Sequence, residues 1–347
     1  MIITYFRSSS YNTHSSCEHQ YFMEYVLGWR GKSGLKADKG TIVHKVLEIL
    51  AFIKYNKQNK EQYFTDDIVG TIDIKKYDLD KIINIVYDYY SLGNPHHKWT
   101  DKDRRDCKDW TYKTIDFNNG MFDPRNREIV CPEQKFDFEI KKPWAKYTFD
   151  TPEGKITGHL ALKGTVDLIT KVDDGFYEII DWKTGRRKNW TTGEEKTQEV
   201  LQNDPQLKIY HYAVQHLYPD VENIMVTINY INDGGPFSIC FDKNDLLKTE
   251  SMIRDKFEKI KHTTVPRLHK SWMCNRLCHF GKNTFDTEGI DGIIEYRRGQ
   301  TTPLHQPMTM CEQIKHDVEV KGIDEVVKEY TKPNFSVGHY KAPGSIE

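Results

Sequence analysis

Residues 164-GTVDLIT-170 and 176-FYEIIDWKTG-185 are two β-rich segments joined by the turn-forming residues KVDDG. This pattern predicts a hairpin. Residues i and i+2 of a strand share a face, so Asp181 and Lys183 point to one side and Trp182 to the other. The hairpin can bring Asp167 beside them. The two segments therefore predict two carboxylates and a lysine on one face of a sheet.

Two carboxylates beside a lysine suit the hydrolysis of a phosphodiester bond. Carboxylate oxygens bind Mg²⁺ or Mn²⁺, which can coordinate the scissile phosphate and activate a water molecule. The ammonium group can orient that water or stabilise charge in the transition state. The alternative for an isolated D-x-K is an ordinary ion pair on a surface hairpin, but the apolar run FYEII disfavours an exposed position.

Strand and helix signals around this hairpin predict an α/β fold. Period-two segments that predict further strands are 128-EIVCPEQKFDFEI-140, 221-VENIMVTINYIND-233 and 236-PFSICFD-242. Segments with helical spacing are 39-KGTIVHKVLEILAFIKY-55, entered after Gly40, then 201–218, 244–262, and two near the C-terminus, MCEQIKHDVEV and IDEVVKEY. Residues 51–125 are polar and aromatic, and we interpret them as a mostly helical insertion.

Composition sets wider bounds on the class of protein. The chain has 347 residues, of which 37% are hydrophobic and 29% charged, which fits a globular protein and excludes a disordered one. The net charge of -1 leaves nucleic-acid binding open. We see no apolar run of the ~20 residues needed to cross a bilayer and no signal peptide, so we expect a cytoplasmic protein without a membrane partner. Seven cysteines favour reduced thiols or metal ligation over disulfides.

The order G-x-x-D, then D-x-K-T-G on the next strand, resembles the PD-(D/E)XK nuclease superfamily. Within it, the pattern is most similar to the RecB-like exonuclease branch, which includes AddB-like and CRISPR-associated enzymes of bacteria and phages. The resemblance implies that Asp167, Asp181 and Lys183 are catalytic and that the two aspartates bind the metal ion.

The same resemblance implies the architecture. We expect a restriction-endonuclease-like core with a mixed central sheet flanked by helices, a helical N-terminal region and a C-terminal appendix. The motifs span about residues 8–280, with 51–125 unmatched. We therefore predict a nuclease domain over 1–285 and a helical appendix over 286–347 that packs on it.

Three further motifs of the branch have counterparts here. Gly40 and His44 match a helical G-x-x-x-H, which implies that His44 is a metal ligand, although a histidine on an amphipathic helix can also be a core residue. Gln206 and Tyr210 match a Q-x-x-x-Y helix and are separated by one helical turn, so they share a face. Glu133 matches an acidic residue on the preceding strand, and a solvent-facing glutamate is the alternative.

The cysteines form a separate hypothesis. Many RecB-like nucleases hold a [4Fe-4S] cluster with one N-terminal and three C-terminal cysteines. Cys17, Cys274 and Cys278 lie in matching contexts, but the C-x-x-x-C spacing departs from the family and no third cysteine follows closely. Cys311 is the candidate fourth ligand and His279 a weaker one, while zinc or no metal at all are the alternatives. The other cysteines are expected to be ordinary buried thiols: Cys107, Cys131 and Cys240.

Residues after the lysine strand are candidates for DNA contact. In GRRKNW, Arg186, Arg187 and Lys188 can neutralise phosphates, and Trp190 can stack on a base. The alternative is a solvated loop.

Together these features predict a Mg²⁺- or Mn²⁺-dependent DNA exonuclease that acts on single-stranded or duplex ends. Recombination, repair or phage replication, with proteins of those processes as partners, is the expected context, in the host cytoplasm if the gene is a phage gene. A structure-specific or nicking endonuclease on the same site is one alternative, and a nucleic-acid-binding protein with an inactive nuclease fold is another. The chain lacks a GKT or GKS phosphate loop, so we expect no ATP-driven translocation.

Overall fold

The computed structural model describes residues 1–189, 193–282 and 309–338. The chain divides into two compact units that interleave along the sequence. We call residues 1–32, 136–164 and 247–347 the first unit, and residues 33–135 and 165–246 the second unit. The predicted domain boundary at residue 285 lies outside the described residues and stays a prediction.

The main sheet is mixed, with strand order β1-β7-β8-β9-β10 and β4 paired to β7. β8 is antiparallel to β7 and parallel to β9, while β10 is antiparallel to β9. β1 lies parallel to β7, pairing with Ala161 and Leu162. The strands are β1 Tyr5–Phe6, β4 Glu128–Glu139, β7 Ala161–Asp173, β8 Phe176–Lys183, β9 Asn223–Tyr230 and β10 Gly235–Phe241. The predicted α/β class with a mixed sheet is confirmed.

The core of the second unit forms around helix α3, Leu35–Gln58. Apolar residues of α3 pack in one buried cluster with Leu168, Ile180 and Trp182 of the hairpin β7–β8. Burial of each large apolar side chain contributes roughly 2 kcal/mol to stability. Trp182 thus points into the core, on the opposite side of β8 from Asp181 and Lys183, as the i, i+2 pattern predicts.

The predicted start of this helix after Gly40 is wrong, because α3 begins at Leu35, five residues before Gly40. Gly40 lies inside the helix, where glycine has a low helix propensity. A Cβ atom at Gly40 would lie 2.7 Å from Thr184 Oγ1, just beyond the end of β8. The glycine therefore permits close approach of the helix to the strand that carries Asp181, and it does not mark a helix boundary.

The segment 51–125, interpreted from the sequence as a mostly helical insertion, contains two helices, α4 Leu79–Gly93 and α5 Asp101–Ile115. It also contains a small hairpin that the sequence analysis did not predict, formed by β2 Tyr63–Asp66 and β3 Gly70–Asp73. Asp66 stabilises the turn, since its Oδ1 accepts hydrogen bonds from the amides of the second and third residues after it. The second unit also contains the short helix α6, Gln198–Gln202, and the longer helix α7, Pro205–Leu217.

The first unit is largely helical. It contains a second unpredicted hairpin, formed by β5 Lys146–Thr151 and β6 Gly154–His159. Its helices are α1 Ser8–Ser16, α2 Glu18–Tyr21 with a π-helical turn Phe22–Val26, most of α8 Lys243–Lys261, then α9 Trp272–Arg276, α10 His279–Lys282, α11 Met310–Lys321 and α12 Ile323–Tyr330. Among the described residues, no helix has the length and apolar character that a bilayer crossing requires.

Candidate active site

Asp167, Asp181 and Lys183 meet at one place in the second unit. The hairpin pairs Leu168 with Ile180, which places the two aspartates on neighbouring strands. The Trp182 amide donates to Asp167 Oδ2 over 3.0 Å, and Lys183 Nζ donates to Asp181 Oδ1 over 3.0 Å. The hairpin thus brings the three side chains together, as the i, i+2 pattern requires.

Asp181 is 1% exposed, and only its Oδ1 accepts aligned hydrogen bonds from the described residues. Its Oδ1 accepts hydrogen bonds from Lys183 and, over 3.1 Å, from Gln206 Nε2. Its Oδ2 lies 2.8 Å from Lys183 Nζ but is buried without a properly aligned hydrogen bond. A buried carboxylate oxygen needs a compensating partner. The Lys183 ammonium is the ion-pair partner of this oxygen, and the carboxylate is also of the type that binds a metal ion.

Helix α7 places Gln206 and Tyr210 against this carboxylate. Asp204 caps the helix by accepting from the Gln206 amide over 2.9 Å, and Pro205 occupies the first helical position. Gln206 Nε2 also donates to Tyr210 Oη over 2.9 Å. The predicted helix face thus points to Asp181, with Gln206 as the direct contact and Tyr210 one step behind it.

His44 and Glu133 contribute the remaining candidate ligands. His44 Nδ1 lies 3.2 Å from Asp167 Oδ2, and the imidazole is 28% exposed, so it is not a fully buried core histidine. Glu133 lines the same cavity. Its backbone has φ 49°, a left-handed conformation that costs a non-glycine residue about 1–3 kcal/mol and tends to occur at functional sites. The structure thus gathers all six residues predicted to be catalytic, with His44, in one unit.

Charges in this cluster shift one another's pKa values. Burial raises the pKa of Glu133 to about 8, and the Asp167 and Glu48 carboxylates add to the effect. Burial also raises the pKa of Asp181, with Lys183 opposing it. Burial acts in the same sense on Asp167, but His44 and Lys183 outweigh it and hold the Asp167 pKa below its usual range. A divalent cation would stabilise the ionised forms of Glu133 and Asp181, whose pKa values are raised in this crowded site.

The cavity at this site has a volume of about 410 Å³ and is open to solvent. Sequence reasoning missed several of its lining residues, among them Lys45, Glu48, Tyr90 and Thr184. Lys45 pairs with Glu48 over 2.6 Å and with Asp66 over 2.7 Å. Helical spacing could have identified Glu48, because it lies one turn after His44. No local signal marks Tyr90, which comes from the insertion.

The donor set fits a hard divalent cation. Carboxylate oxygens from Asp167, Asp181 and Glu133, with one imidazole nitrogen from His44, are ligands that Mg²⁺ and Mn²⁺ accept. Mg²⁺ commonly binds through one or two carboxylates and keeps several water molecules, so the protein need not supply a closed cage.

A mixed sheet that carries two aspartates and a lysine on adjacent strands, beside a helical histidine, is the arrangement expected of a metal-dependent nuclease. The family model for the PD-(D/E)XK nuclease superfamily matches residues 8–282, and the chain belongs to that superfamily. No curated protein matches the chain.

Four cysteines line one cavity in the first unit: Cys17, Cys274, Cys278 and Cys311. They are the four that the sequence analysis selected, and His279 does not line the cavity. Amides approach three of the sulfur atoms. Gln20 N donates to Cys17 Sγ over 3.4 Å, Ser271 N donates to Cys274 Sγ over 3.5 Å, and backbone amides that follow Cys278 donate to its sulfur.

The other three cysteines differ from one another. Cys107 is buried and Cys131 is half-buried. The prediction that Cys240 is a buried thiol is wrong, because it is exposed on β10, between buried Ile239 and Phe241. Alternate residues of a strand face opposite sides, and the side of β10 that carries Ser238 and Cys240 is exposed.

The basic loop after β8 is only partly available to a ligand. Arg187 is half-buried, and its guanidinium pairs with Glu195. Arg186 and Lys188 are exposed. Trp190, the predicted stacking residue, lies outside the described residues. The available cations of this loop are therefore Arg186 and Lys188, and Arg187 stabilises the loop.

Proposed function

We propose that the chain is a metal-dependent deoxyribonuclease of the RecB-like branch that degrades DNA from its ends. One observation carries the proposal. The buried Asp181 carboxylate is fixed through Oδ1 by Lys183 and Gln206, while Oδ2 lies 2.8 Å from Lys183 Nζ without an aligned hydrogen bond. A buried carboxylate in one charged cluster with Asp167 and His44, with an oxygen that lacks an aligned hydrogen bond, supports a role in cation binding.

The proposed mechanism assigns a task to each side chain. A bound Mg²⁺ or Mn²⁺ would supply Lewis-acid polarisation of the scissile phosphate and a water of lowered pKa. Asp167 and Asp181 hold that cation, with His44 and Glu133 as further ligands. Lys183 remains charged, because Asp181 and Asp167 raise its pKa against the effect of burial.

The charged Lys183 ammonium stabilises negative charge that develops on the phosphate. Gln206 is a positioning residue that fixes the orientation of the Asp181 carboxylate. Tyr210 in turn orients Gln206, and burial keeps its hydroxyl protonated by raising its pKa far above the usual value.

The choice of exonuclease over endonuclease rests on analogy with the RecB-like branch. The test is incubation of the purified protein with end-labelled linear DNA and with closed circular DNA, each single- and double-stranded, in Mg²⁺, Mn²⁺ or EDTA. We expect linear DNA to be shortened from an end only when metal is present, and circles to stay intact.

Other outcomes favour the alternatives. Cutting of intact circles would support the endonuclease instead. Binding of DNA without hydrolysis in either metal would support a nucleic-acid-binding protein with an inactive site.

We further propose that the four cysteines of the first unit bind a [4Fe-4S] cluster. A tetrahedral zinc site with Zn–S bonds of about 2.3 Å needs sulfur atoms about 3.8 Å apart. No three of the described sulfur atoms lie within 4.8 Å of one another. A cubane cluster binds each thiolate at a different iron and so tolerates wider spacing. The amide hydrogen bonds to the sulfur atoms also fit thiolate ligands.

Anaerobic purification tests this cluster. We expect brown protein with about four iron and four sulfide ions per chain. A colourless preparation that contains zinc would support the zinc alternative, and an active protein with neither metal would make the cysteines ordinary thiols.

The biological setting follows from analogy alone. DNA ends as substrate, a role in recombination, repair or phage replication, and a cytoplasmic location all rest on the RecB-like resemblance. Arg186 and Lys188 are the proposed contacts to the DNA backbone.

A further inference from the structure

A histidine-rich group lies outside the cavity that His44, Glu133 and Asp167 line. Asp38, His96 and His97 each offer one donor atom, and these atoms all lie within 4.8 Å of one another. Asp38 is in the first turn of α3, and the two histidines lie in the connection between α4 and α5. The three residues belong to the second unit.

The geometry of this group is partly prepared for a metal ion. His97 Nε2 lies 2.7 Å from Asp38 Oδ2, and Asp38 is 7% exposed. His96 Nε2 lies 3.3 Å from the Ser33 carbonyl oxygen. Because a carbonyl can only accept, Nε2 of His96 is the donor and Nδ1 keeps its lone pair. A hydrogen bond of this kind from the second ring nitrogen commonly fixes the tautomer and orientation of a metal-binding histidine.

We propose that Asp38, His96 and His97 form a binding site for a divalent transition metal such as Zn²⁺, separate from the active site. Two imidazole nitrogens and one carboxylate oxygen are a donor set that zinc accepts, whereas Mg²⁺ prefers oxygen ligands. In a tetrahedral site with bonds of about 2.0–2.1 Å, donor atoms lie about 3.4 Å apart. To reach that spacing, the 2.7 Å contact between His97 and Asp38 would open slightly, and the exposed His96 would adjust from a separation of at most 4.8 Å.

An ordinary ion pair between Asp38 and His97 is the competing interpretation. It accounts for the 2.7 Å contact and leaves His96 with its hydrogen bond to Ser33, but it does not explain why the ring centroids of His96 and His97 lie 3.9 Å apart. Two imidazoles held this close, with a buried carboxylate beside them, favour a shared ligand. Such a site would join the α4–α5 connection to the beginning of α3, the helix that carries His44 two turns later.

The first test is tryptic cleavage of the full chain after exposed Lys98, which lies directly beyond His97. We expect one equivalent of Zn²⁺ to slow this cleavage tenfold or more, because the metal restrains the loop. His96→Ala should abolish the protection. Since His96 is exposed, the variant should fold normally. His262→Ala, which removes another exposed histidine, is the matched control and should behave like the wild type.

Zinc bound elsewhere must be distinguished from this site. Asp181→Ala impairs the active site but leaves Asp38, His96 and His97 unchanged. If the proposal is correct, Zn²⁺ should still slow tryptic cleavage after Lys98 in this variant. Metal analysis should show one zinc fewer per chain in His96→Ala than in the wild type. The proposal would be overturned if the wild type and His96→Ala had the same zinc content and the same rate of cleavage after Lys98 in the presence of Zn²⁺.

Discussion

Glu133 offers a test of the electrostatics of the active site. In metal-free protein, burial and the neighbouring carboxylates raise the pKa of Glu133 from 4.5 to about 8. The folded state therefore retains a proton that the unfolded state loses above pH 4.5. The contribution of Glu133 to the free energy of unfolding is therefore fully present below pH 4.5 and is lost as the pH rises to about 8. At about 1.4 kcal/mol for each unit of pKa, the upper limit of the loss is about 5 kcal/mol.

Solvent in the open cavity screens this effect, and we expect a loss of about 2 kcal/mol between pH 5 and pH 9. Glu133→Gln removes the ionisation and should abolish this part of the pH dependence. The assay is urea unfolding in EDTA at several pH values. The control is Glu128→Gln, an exposed glutamate on the same strand.

Adding Mg²⁺ should restore stability to the wild type at pH 9 and have less effect on Glu133→Gln. Identical pH profiles for the wild type and Glu133→Gln, with and without Mg²⁺, would refute the assignment of Glu133 to the charged cluster.

Three further predictions concern other parts of the two units. His44→Ala should raise the metal concentration needed for half-maximal activity by about 10- to 100-fold, with partial rescue by Mn²⁺; unfolding with unchanged metal dependence would support a structural histidine instead. Cys278→Ser should lose the iron and the brown colour, as metal analysis and the absorption spectrum would show. Cys240→Ser, which removes an exposed thiol, is the control and should keep both. Arg187→Ala should lower the free energy of unfolding by about 1 kcal/mol, whereas Arg186→Ala should weaken DNA binding in a salt-dependent assay without a change in stability.

The sequence was sufficient to predict the centre of the site, because its geometry is local. Asp181 and Lys183 share a face of one strand, and Gln206 and Tyr210 share a face of one helix. Asp167 comes from the partner strand of the same hairpin. Periodicity and turn residues specify these relations without knowledge of the rest of the fold.

What the sequence did not predict depends on contacts between distant segments. The start of α3 was misplaced because Gly40 suggests a helix boundary, while its true constraint is the approach of Thr184, 144 residues later in the chain. The group of Asp38 and His97 likewise joins residues that are far apart in sequence. In the missed hairpin β5–β6, β5 does alternate between exposed and less exposed residues, but β6 is mostly polar and has a weaker period-two signal, so the pair was not predicted.

The role of Arg187 also required the fold. Three consecutive basic residues predict a surface for phosphate, but one of them pairs with Glu195 across the loop. Local charge cannot show which member of a basic run is already paired.

The central claim is that Asp181 and Lys183 carry out phosphodiester hydrolysis. The most direct measurement is the rate of hydrolysis of end-labelled linear DNA by Asp181→Ala and Lys183→Ala in saturating Mg²⁺, with Asp174→Ala, at an exposed turn of the same hairpin, as the control. We predict a loss of about 10³-fold or more in both variants, with DNA binding and circular dichroism close to wild type, because both groups act on the transition state. Activity within about tenfold of the wild type in either variant would contradict the account and place the active site elsewhere.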